Sequence, residues 1–582
     1  MATNKTPPWM FGNTTVRSPF RLRDGLLAIS QSPIQGNLRG TERDKEFREL
    51  LGEHGIVSLG TDETNSVGRK WRAALEKHGF IYPNLPANTQ IEGYSVERVD
   101  TITPSGWRLI SAESVPAIQE CFLRALLSFW VPNTLEKRRS LVKPFSPLRF
   151  CLSIMLELER NCGSNVVHFN EMALVIQFSN PSTPTIELVK RILSLRKGRE
   201  QASNKRSYDA DTYADAASMY SYEVQTLNDY ADLNIRYLKA TGLLVSRGRG
   251  IAISEGKHLF VEKICNESVA LVDNTRWLKD LVEGSSLPTD NIEVASDVVD
   301  DLVKQLKNKG VELKDREKSR VSASEVNLLR YDLEEKLFEI NEREYAKRQA
   351  LQWREISSWL QLLSTNPYRA ISLDDGEKIV VPQGEAPAYF EWIIWRSFLA
   401  INKLVLGPGE CRRFKIDQDF LPVGTAPGNG PDLIFEFDDF VLVVEVTLTS
   451  SSRQEAVEGE PVRRHVATVV DNYHASNKQV YGLFLTNNVD SNTAETFRLG
   501  TWYRADDSRM TLSIVPLKLS EFKSFFDTLF EKEVVECERV RELIERCIGG
   551  REEEAPAWKS YISNTIYGYV SELKLLTKVD NV

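Results

Sequence analysis

Two carboxylates, Asp432 and Glu445, stand at the ends of two apolar runs joined by a polar dipeptide. Leu433 to Phe437 is the first run, Asp438-Asp439 the joint, and Phe440 to Val446 the second. Short β-branched and aromatic runs flanking such a dipeptide predict a β-hairpin. With Asp438 and Asp439 as its turn, Asp432 and Glu445 fall opposite each other. Directly opposed residues of an antiparallel pair share a face, with Cβ atoms ~4.5–5.5 Å apart. Like charges so placed destabilise a sheet, and a buried unpaired carboxylate costs more. A divalent cation between them removes both penalties, and hard oxygen ligands at an open site suit Mg2+. The alternative is a solvated strand end with a stray Glu. Four neighbours weaken it. Gly428-Asn429-Gly430-Pro431 makes a tight approach to Asp432. Thr447 continues the face of Glu445. Glu458 and His465 follow within one loop-to-helix span, and Glu391 lies upstream on a predicted helix.

This set points to metal-dependent hydrolysis of a phosphodiester. Asp432, Glu445 and Glu458 are the expected ligands of Mg2+, with Glu391 completing the carboxylate set directly or through water. A cation held there polarises the phosphate and lowers the pKa of a bound water. His465 is a candidate for handling a proton or orienting a phosphate oxygen; a structural, hydrogen-bonded His is the other reading. Thr447 and the backbone beside it are candidates for positioning the water.

The arrangement Pro431-Asp432…Glu445-Val446-Thr447 resembles the PD-(D/E)xK nuclease superfamily, with Thr447 where a Lys is usual. More narrowly, the chain resembles the AlwI-type family of type IIS restriction endonucleases and their nicking relatives. Phe390-Glu391-Trp392…Trp395, Gly428-Asn429…Pro431-Asp432, Glu445-Val446-Thr447 and Glu458-Gly459-Glu460-Pro461-Val462…Arg464-His465 carry that likeness. That family also has Thr after the motif Glu. The resemblance implies a short asymmetric duplex site cleaved a few base pairs to one side. It also implies one catalytic domain per strand, so that cutting both strands needs a transient homodimer or a second subunit. Cutter and nickase stay open.

The elements that must position these residues are spread over 582 residues, a length that suggests three or four domains. The net charge of −9 gives no global basic signature. Residues 1–150 hold 20 Lys and Arg against 15 Asp and Glu, so the excess of +5 at the front leaves −14 for the rest. That bias is consistent with DNA contact at the front and equally with a solvated surface. Seven scattered cysteines without a C-x-x-C pair argue against zinc fingers and for thiols in a reducing cytoplasm. The first residues lack the apolar core of a signal peptide, and no apolar run approaches the ~20 residues that span a bilayer.

The predicted architecture is multidomain α+β. A mostly helical N-terminal part carries winged-helix DNA-binding units at 1–140 and 141–287. A helical linker follows at 288–380, then an α/β restriction-endonuclease-like domain at 381–582. In the first unit Arg17, Arg21 and Arg23 sit on what reads as an extended arm, suited to phosphates or base edges. A helix from Ser66 carries Arg69, Lys70 and Arg72 on its first turns, and Phe80-Ile81-Tyr82 starts a strand, as in a winged helix-turn-helix. Thr101 to Ile110 reads as a further strand, and Lys137-Arg138-Arg139 as a basic cluster. In the second unit a helix from Tyr222 to Ala240 leads into a hairpin with Arg247 and Arg249 at its tip. For each arginine a solvated surface role is the alternative. In the linker Leu328, Leu329, Leu333 and Leu337 form an apolar stripe. The expected partner is double-stranded DNA, with no membrane. Two other functions fit parts of this pattern: a DNA-binding protein whose nuclease-like domain is inactive, if Thr447 disables chemistry, and a two-carboxylate glycosidase, which no aromatic sugar platform supports.

Overall fold

The computed structural model describes residues 7–576, apart from 58–65, 86–91, 93, 136–142, 268–272, 313–321, 374–377, 383, 451–452 and 477. Lys137-Arg138-Arg139 therefore lies outside the described residues. The chain divides into two compact units, Met1–Leu337 and Phe338–Val582. The boundary falls inside one helix, Ala323–Arg348, whereas the sequence places its boundaries at 140, 287 and 380.

The first unit is mostly helical. Thr41–Glu53 and Ser66–Lys77 are the two expected helices of the first candidate winged-helix unit, and they pack on each other. The strand expected at Phe80-Ile81-Tyr82 is reduced to a single bridge, Ile81 to Ile102. The segment read as a strand at Thr101 to Ile110 is instead the helix Pro104–Ser111. Thr103 caps it, its hydroxyl accepting from Gly106 N at 3.0 Å, and Pro104 opens it with φ already helical. A capping hydroxyl and a proline outweigh the β-propensity of the surrounding residues. The arm expected around Arg17–Arg23 is likewise partly helix, Arg21–Ser30.

In the second half of this unit the helix Val224–Lys239 leads into strands Leu244–Arg247 and Gly250–Ile253, which pair antiparallel as expected. Gly248 takes φ +54 in the turn, a conformation that suits a residue without Cβ. A third short strand, Val167–His168, joins on the outer side of Gly250–Ile253. The leucine stripe is corrected: Leu328 is exposed, and Val326, Arg330 and Leu333 form the buried face at helical spacing.

The second unit is an α/β layer structure. Helices α1 (Trp353–Thr365) and α2 (Ala386–Ile401) precede a four-stranded sheet of β1 (Leu433–Glu436), β2 (Phe440–Thr447), β3 (Gln479–Thr486) and β4 (Ile514–Lys518). The order across the sheet is β4-β3-β2-β1; β2, β3 and β4 run parallel and β1 antiparallel. Helix α3 (Glu460–Asn472) makes the crossover from β2 to β3. Helix α2 is buried on all sides and mostly apolar, because it lies inside the unit rather than on its surface. Phe440, Val441, Leu442, Val443 and Val444 are each fully buried, so β2 is covered on both faces as a central strand must be. At ~1.5–3 kcal/mol per side chain this burial supplies about 10 kcal/mol. That is enough to hold the last residues of the strand against an unfavourable charge.

Candidate active site

The hairpin fixes the first two carboxylates. Leu433 pairs with Val444 and Glu436 with Val441, and Phe437 N donates to Phe440 O at 2.9 Å around Asp438-Asp439. Continuing that register by one residue sets Asp432 opposite Glu445, on one face, as the spacing predicts. The two side chains are within hydrogen-bond reach of each other. Asp432 Oδ2 also accepts from Val446 N at 2.9 Å, so the carboxylate is anchored to the strand that carries its partner.

Helix α2 delivers Glu391 to the same place. It is 5% exposed, and its Oε2 accepts from Ala426 N at 2.7 Å. Another buried charge on this helix shows the contrast. Arg396 is matched by Glu355 at 2.8 Å and by Gln349 and Gln352 at 2.7 and 3.1 Å, and it lies over Trp392. A buried cation so fully paired is structural. Glu391 faces Asp432 and Glu445 instead, two charges of its own sign.

After β2 the chain turns into a π-type turn, Glu455–Gly459, which presents Glu458. Such turns recur where a side chain must be re-aimed. The Thr447 hydroxyl bonds the Glu458 carboxylate and accepts from Thr449 N at 3.1 Å. Helix α3 supplies His465, whose Nδ1 lies 2.7 Å from Glu445 Oε1. His465 Nε2 is buried without a hydrogen-bond partner among the described residues. All six residues singled out in the sequence thus lie in one cluster.

Burial, reinforced by like charge, governs the electrostatics. It holds Glu391 and Asp432 well above the usual carboxylate range, with Asp432 and Glu445 respectively as the nearest added repulsions. Burial and then Glu458 push Glu445 up to about 8, and burial also raises Glu458. Burial and the neighbouring Arg464 and Arg413 lower His465 to about 4, so its ring is neutral near pH 7. Once a cation keeps Glu445 ionised, the neutral ring donates to it from Nδ1, which leaves Nε2 as an acceptor.

Among the described residues no three His, Cys, Asp or Glu side chains are placed closely enough to hold a metal ion together. The chemistry of the donors nonetheless fits a hard divalent cation. They are oxygens, buried, of one sign, and raised in pKa by burial and by one another.

Two supporting residues escaped the sequence reading. Gln454 is fully buried and ties the loop after β2 to the end of β3. Its Nε2 donates to Thr449 O at 2.6 Å and Asn488 O at 3.0 Å, and its Oε1 accepts from Asp490 N at 2.9 Å. Arg413 lies beside Asp432 at the outer edge of β1. A buried Gln carries no distinctive spacing, and Arg413 reaches the site by a pairing that is not local.

The expected DNA contacts divide. Arg69, Lys70, Arg247 and Arg249 have exposed side chains. Arg72 is corrected: it is 9% exposed, with Nη1 on Asp44 Oδ1 at 2.6 Å and on Leu38 O. Arg23 is also internal, donating to Leu109 O at 3.1 Å and Ile110 O at 2.9 Å, where it satisfies the end of helix Pro104–Ser111. Arg17 pairs with Asp229 at 3.0 Å, and Arg21 reaches Gly55 O at 3.3 Å. Arg72→Ala is therefore expected to lower stability by about 2 kcal/mol, the scale of a charged hydrogen bond. Arg247→Ala is expected to leave stability unchanged and to reduce the salt slope of duplex binding by about 1. Denaturant melts and salt-dependent titrations separate the two; a reversed pattern would exchange their roles.

A family model described as AlwI restriction endonuclease matches residues 76–525. No curated protein matches the chain. Among solved structures it is similar to the small subunit (R.BspD6I2) of the heterodimeric restriction endonuclease R.BspD6I. The identity is 20%, with 37% of this chain and 98% of that chain covered and a TM-score of 0.28. The binding domain of the BpuJ1 endonuclease, solved with pyrene- and phenanthrene-modified DNA, gives 13% identity, coverage of 45% and 89%, and a TM-score of 0.28. Restriction endonuclease FokI gives 12% identity, coverage of 93% and 99%, and a TM-score of 0.25. The match to the family model spans well over half of the chain and includes every residue of the carboxylate cluster.

Proposed function

The chain belongs to the AlwI restriction endonuclease family and is a site-specific DNA nuclease, and from that premise we propose that its carboxylate cluster hydrolyses one phosphodiester bond of duplex DNA with Mg2+. The single observation carrying this reading is the opposition of Asp432 and Glu445 on one face of a buried hairpin. Asp432 and Glu445 would hold the cation, with Glu458 and Glu391 completing the set as ligands or through water. Bound there, Mg2+ polarises the phosphate and lowers the pKa of a water. In the step itself a water oxygen bonds to phosphorus and one P–O ester bond breaks. One new end keeps the phosphate, and the other leaves as a hydroxyl carrying a proton. His465 holds Glu445 in the orientation its other oxygen needs. Thr447, where a Lys is usual, holds Glu458.

The type IIS reading places sequence recognition before about residue 287, in candidate winged-helix units at 1–140 and 141–287. A helical connection at 288–380 joins them to the cutter at 381–582. Recognition and cleavage on separate segments imply cuts a few base pairs outside an asymmetric site. One such cluster among the described residues implies one strand cut per engagement. A nick is then the primary product, and a double-strand break needs a second copy or a partner subunit. Seven free thiols suit a reducing cytoplasm, and no helix among the described residues is long and apolar enough to cross a membrane.

The purified chain is expected to nick or linearise a plasmid in Mg2+, at ends that sequencing shows to lie at fixed offsets from one short site. Specific duplex binding without cleavage would select the alternative, a DNA-binding protein with an inactive nuclease-like domain.

The raised carboxylates also set a pH dependence. A folded-state pKa above the unfolded value means the folded chain binds more protons, so stability falls as pH rises through the raised value. For Glu445 the window runs from 4.5 to about 8. His465 acts with the opposite sign, but only between its ordinary 6.5 and about 4. Between pH 6.5 and 8 the carboxylates therefore act alone. The melting temperature of the chelated protein is expected to fall across that interval. The gain on adding Mg2+ is expected to widen. A gain independent of pH would show that the cation does not replace protons on these carboxylates.

A further inference from the structure

The carboxylate pair has a third neighbour in its own row. At the outer edge of β1 a short segment pairs antiparallel with the strand. Arg412 bridges Leu433, Ile434 N donates to Cys411 O at 3.0 Å, and Arg413 N donates to Asp432 O at 3.3 Å. One step outward from the Arg412–Leu433 bridge, Arg413 stands opposite Asp432, which stands opposite Glu445. Opposed residues of antiparallel pairs share a face, so the row reads Arg413, Asp432, Glu445 across the sheet.

The guanidinium is held without being neutralised. Its Nη2 donates to Asn429 Oδ1 and its Nη1 to Pro431 O at 3.4 Å, both uncharged acceptors. Among the described residues it forms no salt bridge. A Cβ on Gly430 would fall 2.2 Å from Nη1. The glycine in Gly428-Asn429-Gly430-Pro431 is therefore what lets the guanidinium lie along the loop. An arginine carries five N–H donors in a fixed fork, and these contacts leave donors for an anion. The charge is felt in the site: Arg413 acts on both Glu445 and His465.

A cation next to a metal-ligating pair, fixed by neutral contacts, is arranged to meet an anionic ligand. The position that supplies the usual cation, two residues after Glu445, is occupied by Thr447, whose hydroxyl is engaged with Glu458. We propose that Arg413 is the cation that meets a non-bridging oxygen of the scissile phosphate, performing from the far side of Asp432 what a lysine at position 447 would perform. Resting on the nuclease reading above, it makes Arg413 a catalytic residue and Gly430 its positioning residue. As the water oxygen bonds to phosphorus and the ester oxygen leaves, negative charge builds on the non-bridging oxygens. A fork already oriented by Asn429 and Pro431 stabilises that charge without rearrangement.

The test uses the full chain and a plasmid that the wild type nicks in Mg2+. Single-turnover rates at saturating protein, duplex affinity and melting temperature are measured for Arg413→Met, Arg413→Lys, Arg413→Gly and Gly430→Ala. Removal of one such donor typically lowers the rate ~10²–10³-fold, and that loss is expected for Arg413→Met with duplex affinity unchanged. Arg413→Lys is expected to recover about a tenth of the wild-type rate, since charge returns without the fork. Gly430→Ala is expected to slow cleavage in the same direction, and millimolar guanidinium to raise the rate of Arg413→Gly. A wild-type rate in Arg413→Met overturns the inference and leaves the nuclease reading standing. So does a loss that follows melting temperature and responds neither to Lys nor to guanidinium. A wild type that binds duplex without nicking removes the nuclease reading, and this inference with it.

Discussion

Asp432→Asn is expected to lower the cleavage rate by at least ~10³-fold while raising the melting temperature of the cation-free protein. Two opposed effects act on one atom pair. Loss of a carboxylate ligand removes several kcal/mol of charge stabilisation in the reaction, and each 1.36 kcal/mol is about tenfold in rate. In the absence of a cation the same carboxylate is a liability, buried beside Glu445 and Glu391 and held well above its ordinary pKa. Asparagine keeps the size and the acceptor that Val446 N uses at 2.9 Å, so the strand end survives. The full chain should bind its duplex as the wild type does. Cleavage assays and melts at pH 8 with chelator check both halves. A variant that cuts normally would exclude Asp432 as a ligand. One that is inactive and also less stable would show that Asp432 holds the hairpin rather than the cation. Glu445→Gln is expected to behave alike, because it is the other half of the opposed pair.

His465 is expected to act through Glu445. Its Nδ1 is 2.7 Å from Glu445 Oε1, and partners that orient a metal-bound carboxylate typically contribute 10–100-fold to affinity or activity. His465→Ala is therefore expected to cut the rate at low Mg2+ by ~10–100-fold, with much of the loss regained as Mg2+ is raised. His465→Asn places an amide N–H near the position of Nδ1 and is expected to restore most of the low-Mg2+ rate. A proton-transfer role for Nε2 predicts otherwise. Both variants would then be equally slow at saturating Mg2+, and the acidic limb of the pH–rate profile, set by a ring lowered to about 4, would vanish in both. The Mg2+ titration of the two variants distinguishes these outcomes.

The register of the hairpin was legible because everything that sets it is local. A two-residue turn and two apolar runs leave one favoured pairing, and a slip of one residue would turn Leu433 and Phe435 of β1 to its less buried face. Parallel β3 and the enclosing helix α2 were legible for the same reason, since continuous apolar runs of their lengths have no other place to go. The arginines of the first unit were not legible. Arg69 and Arg72 sit on the same two turns of one helix, yet one is exposed and the other 9% exposed on Asp44. The difference is made by a helix that starts twenty-five residues earlier.

The sequence by itself therefore determined the carboxylate pair, the strands that carry it and the family to which it points. Those depend on turn chemistry and on apolar runs that admit one arrangement. Only the tertiary structure decided which charges remain available for chemistry. It drew Arg23 and Arg72 into internal contacts, set His465 on Glu445 and Thr447 on Glu458, and brought Arg413 to the edge of β1 beside Asp432. The environment of a charge is a sum over neighbours from distant parts of the chain, and no local spacing encodes that sum.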